Sequence, residues 1–283
     1  MAVAFREHDH SYHSVDPAEE IRWIGATTFV GHFKEPFDAP LRAKKSSKNR
    51  KSKWYGLTPD EILEIWDSGN RNSRELGSWY HNQRETDTLS LDTLQRHGRD
   101  IPIFKPIFVG DMKHAPEQRL VEGIYPEHFV YLKSAGICGQ ADRVEVVNGV
   151  VDVFDYKTNK EIKREGFTNW EGRVSTLSGP VSHLDDCHFY HYALQLSIYL
   201  YIILKHNPLY KPGKLVLHHI VFEVDSYDKY DNPIYKRTPE GDPIVKEIVP
   251  IEVPYLRTEV ISMIHYLDEN RDEILAKKEQ HKS

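Results

Sequence analysis

Residues 136–160 read G-I-C-G-Q-A-D-R-V-E-V-V-N-G-V-V-D-V-F-D-Y-K-T-N-K. Two valine-rich runs flank Asn148-Gly149, a dipeptide whose residues both tolerate the positive φ that a two-residue type I′ hairpin turn requires. With that turn, Val147 faces Val150, and counting outward sets Asp142 across from Asp155. Directly opposed side chains in a sheet lie about 4.5–5.5 Å apart at Cβ. Alternation puts Val144, Val146, Val151 and Val153 on the face of the two aspartates, with Lys157 beside them. An apolar core face thus ends in two carboxylates and an amine. Half-buried carboxylates this close must share a proton or find a cation, and a divalent metal resolves the conflict. The alternative is a solvated strand end carrying a surface Lys–Asp pair.

The 283-residue chain is 39% hydrophobic and 28% charged, the composition of a globular protein rather than a disordered or membrane one. Its most apolar run, Tyr192 to Leu204, is interrupted by Gln195 and Ser197 and falls short of the roughly 20 residues a bilayer needs, so it reads as a buried helix. The first residues lack the apolar stretch of a signal peptide. An intracellular, cytoplasmic protein that is not secreted is expected. Two cysteines, Cys138 and Cys187, cannot supply a four-cysteine zinc or iron–sulfur site and read as reduced side chains. The net charge of −6 excludes a uniformly basic nucleic-acid binder. Positive charge is instead concentrated in residues 42–53, R-A-K-K-S-S-K-N-R-K-S-K, which read either as a phosphate-binding arm, with Lys44, Lys45, Arg50 and Lys51 as contacts, or as a solvated loop.

In chain order, W-I-G-A-T-T-F-V-G-H-F within residues 1–40 predicts a short strand or hairpin, stopped by Pro36 and Pro40. Thr58-Pro59-Asp60-Glu61 is a capping box with proline at the first helical position. It starts a helix expected to end near Ser68 at Gly69. A second helix from Asn72 or Ser73 carries Gly77, His81 and Glu85 on roughly one face, with a close backbone approach as the reason for the glycine. Residues 98–117 predict irregular or edge structure. R-L-V-E-G-I-Y and H-F-V-Y-L-K-S predict strands, and Glu122 adds a third carboxylate near the sheet. Residues 159–185 predict a polar loop or lid. The helix after Asp186 sets Gln195 and Tyr199 one turn apart, either as a packed pair or facing a substrate. Strands follow from Lys214 and around Ile234 and Ile248, and an amphipathic helix runs from about Leu256 to Lys278. Residues 1–71 read as a helical N-terminal extension with the basic arm, and residues 72–283 as the core, the two forming one compact unit.

Gly77 to His81, Gly139 to Asp142, Asp155-Tyr156-Lys157 and Gln195 to Tyr199 follow, in order, the G-x-x-x-H, G-x-x-D, D-x-K and Q-x-x-x-Y pattern of the PD-(D/E)XK nuclease superfamily. The chain resembles its RecB-like branch, which includes viral exonucleases, over about residues 72–225. The resemblance implies an α/β (α+β) fold with a restriction-endonuclease-like core, a central mixed β-sheet flanked by helices. It implies that His81, Asp142, Asp155 and the Tyr156 carbonyl hold one or two Mg²⁺ or Mn²⁺ ions, which suit oxygen-rich ligation with one imidazole. Lys157 then orients or deprotonates a water, while Gln195 and Tyr199 position the strand or the catalytic groups. Glu85 and Glu122 become outer or second-metal residues. The implied protein is a metal-dependent deoxyribonuclease, an exonuclease before an endonuclease, acting on DNA ends or single strands, without an iron–sulfur cluster. The aromatics Trp54, Trp79, Tyr80 and Trp170 fit a single-strand channel, and the size fits a viral processing enzyme working in the host cytoplasm. The competing readings are a nucleic-acid-binding module that no longer cuts, and metal storage by the sixteen histidines.

Overall fold

The computed structural model describes residues 3–6, 11–16, 18, 21–169 and 171–280. Its strands are β1 (Val3–Arg6), β2 (Ser11–Ser14), β3 (Ile24–Gly25), β4 (Thr93–Arg96), β5 (Arg99–Pro102), β6 (Ile107–Val109), β7 (Met112–His114), β8 (Gly123–Leu132), β9 (Ile137–Val147), β10 (Val150–Lys157), β11 (Lys211–Phe222), β12 (Val224–Tyr227), β13 (Pro233–Tyr235) and β14 (Val245–Val253). The helices are α1 (Ala26–His32), α2 (Ala39–Lys48), α3 (Pro59–Leu89), α4 (His188–His206) and α5 (Arg257–Gln280). The central sheet runs β14-β11-β10-β9-β3, with β8 also paired to β9. It is mixed, because β10 lies parallel to β11 and β3 parallel to β9 while the other pairs are antiparallel. A mixed sheet flanked by helices is thus the fold. A second, four-stranded sheet has the order β2-β1-β7-β6.

The Asn148-Gly149 turn has φ values of 53° and 74° at its two residues, and β9 and β10 pair from Val150↔Val147 to Phe154↔Arg143. Val144, Val146, Val151 and Val153 are fully buried in the main core with Leu194, Ile198 and Tyr199 of α4 and Val260, Met263 and Leu267 of α5. On the other face, Leu76 and Tyr80 of α3 pack with Tyr156, Ile220 and Phe222. The sheet is therefore clamped between α4 and α3, and the end of β10 lies under both.

Three expectations are corrected. The helix at Thr58 does not stop at Gly69: α3 runs 31 residues, and the boundary at residue 71 falls inside it. The capping box fixes its start, with Glu61 Oε2 accepting from Thr58 N at 2.7 Å and Thr58 Oγ1 from Glu61 N at 3.2 Å. Gly69 costs about 1 kcal/mol relative to alanine, too little to end a helix whose C-terminal half is held by Leu76 and Tyr80. The run after Trp23 is a strand for two residues only and then becomes α1, because Phe29, Val30 and Phe33 recur at helical spacing and enter the core while Thr27 and Thr28 stay exposed. Residues 24–33 thus belong to the central sheet and core rather than to an appendage. The basic run is neither arm nor loop through residue 48: it forms α2, capped by Asp38 Oδ1 accepting from Leu41 N, and Ala43 is its buried residue. Among the described residues of 159–185 there are isolated bridges and a 3-10 turn, as their composition suggests.

His128 on β8 is 3% exposed, its Nε2 lacks a hydrogen-bond partner, and burial pushes its pKa down to about 4. Between pH 6.5 and 4 the unfolded chain binds a proton there that the folded chain refuses. Stability is therefore complete above 6.5 and is lost as pH falls toward 4. Replacing His128 with leucine should remove up to about 3 kcal/mol of that loss, read as a flatter acid limb in urea unfolding between pH 7 and 4.

Candidate metal and catalytic centre

The pairing of β9 fails at one residue on both sides. Its ladder with β8 runs with constant register through Pro126↔Arg143 and His128↔Ala141 and skips the pair between them, Glu127 and Asp142. Its ladder with β10 stops at Phe154↔Arg143, one position short of Asp155 and Asp142. Three carboxylates on three adjacent strands therefore stand abreast. The backbone is distorted there. Glu127 has φ 49°, a left-handed conformation uncommon for a side-chain-bearing residue. The face turned to α4 also changes parity: Ile137 and Ala141 before Asp142 and Val144 and Val146 after it all enter the same core.

Each carboxylate has its own surroundings. Asp142 Oδ2 accepts from Tyr156 N at 2.5 Å, taking over from the interrupted ladder, and Asp142 Oδ1 lies 3.3 Å from His81 Nδ1. His81 Nε2 is 3.1 Å from the Tyr156 carbonyl oxygen. The imidazole thus bridges two groups that a cation would also bridge. Burial opposes charge on this ring, but the Asp142 carboxylate outweighs it and carries the His81 pKa up to about 9. For Asp142 burial works upward, and the His81 charge and hydrogen bond, Lys157 and Tyr156 N together hold it below its ordinary value. Burial raises Asp155 to about 6 against the pull of Lys157, and burial followed by the Asp142 charge raises Glu127 to about 8. Three neighbouring carboxyls cannot all ionise without a cation.

Lys157 Nζ lies 2.6 Å from the buried Asp155 Oδ2. Burial disfavours the ammonium, but Asp155 and Asp142 raise the Lys157 pKa above its usual value. The same ammonium sits 4.7 Å from the centre of the Tyr192 ring, whose hydroxyl donates to Asn159 Oδ1 at 2.8 Å. Gln195 Nε2 donates to the Tyr199 hydroxyl at 3.0 Å, and burial with the Asp155 charge drives the Tyr199 pKa well up.

One atom each from His81, Glu127 and Asp142 lies within 4.8 Å of the others. Two carboxylates, an imidazole and the nearby Tyr156 carbonyl form a donor set that suits a hard divalent cation, and the buried Asp155 carboxylate adds a fifth candidate. The residues fit Mg²⁺ or Mn²⁺. Glu127 is absent from the sequence expectation. Its signal is Pro126, since proline within a strand marks a sheet edge or a bulge.

Other expected residues lie elsewhere. Glu122 does not approach the centre: it pairs with Arg99 at 2.9 and 3.2 Å and accepts from Asn148 N at 2.8 Å, bracing the hairpin turn at the far end of β9. Glu85 reaches the centre only through Lys113, 3.6 Å away. Lys44 and Lys45 lie on α2, and Arg50 and Lys51 in the turns after it, all exposed. This region meets α3 at Trp66, whose ring is tilted against Phe37 and edge-on to Trp54. Some fifteen residues of helix, roughly 22 Å, separate Trp66 from His81. A groove of about 1500 Å³ runs along α3 from Phe37, Trp54 and Trp66 to Trp79, Thr158 and Lys160, and neither His81 nor the three carboxylates line it. Acids such as Glu64, Asp67, Asp228 and Asp242 outnumber bases along it, so its floor does not attract phosphate. Trp79 is tied to Asp242 and Tyr80 is buried, so neither is a free stacking platform. Trp170 lies outside the described residues. Both cysteines are buried and unbridged.

No family model matches the chain, and no curated protein matches it. A solved structure titled "Crystal structure of SSO0001" is similar to it over 89% of this chain and 76% of that one, at 16% identity and a TM-score of 0.31, too low for the likeness to carry an argument.

The two motif glycines differ. A Cβ on Gly139 would come 2.5 Å from Tyr199 Cε1, whereas one on Gly77 would meet only Thr158 Oγ1 at 3.4 Å, so the close approach expected at Gly77 is not needed. Gly139→Ala should cost about 1–3 kcal/mol through overpacking. Gly77→Ala should be neutral or gain up to about 1 kcal/mol in helix propensity. Thermal denaturation of the two variants checks the contrast.

Proposed function

We propose that this protein is a metal-dependent deoxyribonuclease of the PD-(D/E)XK superfamily, RecB-like branch, with a restriction-endonuclease-like core, and that it removes nucleotides from DNA ends or single strands inside the cell. The observation that carries the reading is the row Glu127, Asp142 and Asp155 with His81 and Lys157 closing on it, which supplies ligands and a cation where phosphodiester hydrolysis needs them. No described helix is long and apolar enough to cross a membrane.

His81, Glu127, Asp142, Asp155 and the Tyr156 carbonyl would hold Mg²⁺ or Mn²⁺. A bound ion supplies an acidified water and offsets the charge that builds on a scissile phosphate. Asp155 keeps Lys157 charged and fixed, and the Tyr192 ring covers the other side of the ammonium. Held as an ammonium, Lys157 donates hydrogen bonds to the attacking water or to a non-bridging phosphate oxygen, where stabilisation grows in the transition state. Gln195 orients Tyr199, which packs against Gly139 and keeps β9 and the ligand row in place. The exposed bases of α2 and the turns after it would take the phosphates of DNA that reaches the Trp66 end of α3, roughly 22 Å along the helix from His81.

End-labelled single- and double-stranded DNA incubated with the protein and Mg²⁺, Mn²⁺ or chelator tests the reading. Cutting should require the metal, and Asp155→Ala, Lys157→Ala and Glu127→Gln should each lower the rate at least roughly 100-fold. Absence of metal-dependent cutting by the wild type, with DNA still bound, would instead favour the non-cleaving module. Full activity in Lys157→Ala would remove the proposed chemistry.

A further inference from the structure

Lys113 belongs to the second sheet, where β7 sets it between Phe5 of β1 and Phe108 of β6. It is 1% exposed, and its ammonium has no hydrogen-bond partner. Its nearest anions are Glu85 Oε1 at 3.6 Å and Glu127 Oε2 at 3.9 Å, one on each side. The Phe108 ring lies 5.6 Å away on the outer side. Taking an ammonium out of water costs several kcal/mol, and two long ion pairs offset only part of it. The sequence around Lys113 shows no reason of packing for a lysine there.

Its surroundings are those of a cation site. Glu85 and Glu127 face it, and Glu127 also accepts from Gln140 Nε2. Gln140 Oε1, turned the other way, is buried without a donor. Two carboxylates facing one buried cation form an oxygen-only pair, the kind that takes a hard divalent ion. Glu127 belongs both to this set and to the His81–Glu127–Asp142 group. The two positions therefore share one bridging carboxylate, as in centres that hold two metals.

We propose that Lys113 is a tethered second cation: its ammonium occupies the position beside Glu127 that a second divalent ion would take, so the centre binds one metal ion rather than two. This rests on the metal reading of His81, Glu127 and Asp142. Lys113 is then a positioning residue, holding Glu127 across the row and adding positive charge to the phosphate side of the site without an exchangeable ion.

Mn²⁺ binding at pH 7.5, with free ion counted by electron paramagnetic resonance, tests this without any activity readout. Wild type and Glu85→Gln should each bind one ion, and Asp142→Ala should bind none. Lys113→Met should bind two, with the line broadening of a spin-coupled pair, and Lys113→Met/Glu85→Gln should return to one. Two ions in the wild type, with one lost in Glu85→Gln, would overturn the proposal, as would a folded Lys113→Met that still binds one. Should Lys113→Met fail to fold, the wild type and Glu85→Gln decide alone: one ion in each supports the proposal, and an ion lost on removing the Glu85 charge overturns it. A wild type that binds no Mn²⁺ would instead remove the metal reading itself.

Discussion

Glu127, Asp142 and Asp155 stand side by side on three strands of a sheet covered on both faces, and the rest of the molecule answers that crowding of charge. Like charges on opposed sheet positions repel, and burial removes the water that would screen them. Cations arrive from three directions: His81 from α3, Lys157 two residues beyond Asp155, and Lys113 from the second sheet. Even so, Glu127 and Asp155 hold protons more tightly than ordinary carboxyls. Burial is the main cause, and a divalent ion would favour the ionised carboxylates that burial disfavours.

The scaffold is rigid where the row needs it. The valine face of the hairpin packs on α4, and Tyr199 of that helix lies against the bare backbone of Gly139, three residues from Asp142. On the opposite face, α3 carries His81 at the end of a hydrophobic contact made by Leu76, Tyr80, Tyr156 and Phe222. A capping box at one end and tertiary packing at the other let α3 pass through Gly69 unbroken, so the helix that carries His81 also carries Trp66, against which the basic region packs through Trp54. The Trp66 contact and His81 are thereby held at a fixed spacing.

Much of this is legible in the sequence because it is local. Asn148-Gly149 specifies the turn, the turn specifies the register, and the register brings Asp142 toward Asp155; the capping box and the apolar α4 are equally direct. What escapes depends on contacts distant in the chain. Glu127 enters through broken pairing that only Pro126 hints at, and Lys113 lies on a three-residue strand whose partner, β1, is over a hundred residues away. Glu122 looks as suitable as Glu127 by composition, yet sits five residues along the same chain segment and meets Arg99 at the turn instead. The β-branched run after Trp23 becomes α1 because three apolar residues at helical spacing find the core, and packing outweighs propensity there.

The proposed metal centre rests on the row of carboxylates. Crystals of the wild-type protein grown with Mn²⁺ and measured at the manganese absorption edge test it most directly. The account predicts one anomalous peak within about 2.0–2.4 Å of donor atoms from His81, Glu127, Asp142 and the Tyr156 carbonyl. An anomalous map with no peak there, in crystals whose Glu127, Asp142 and Asp155 keep this arrangement, would contradict it.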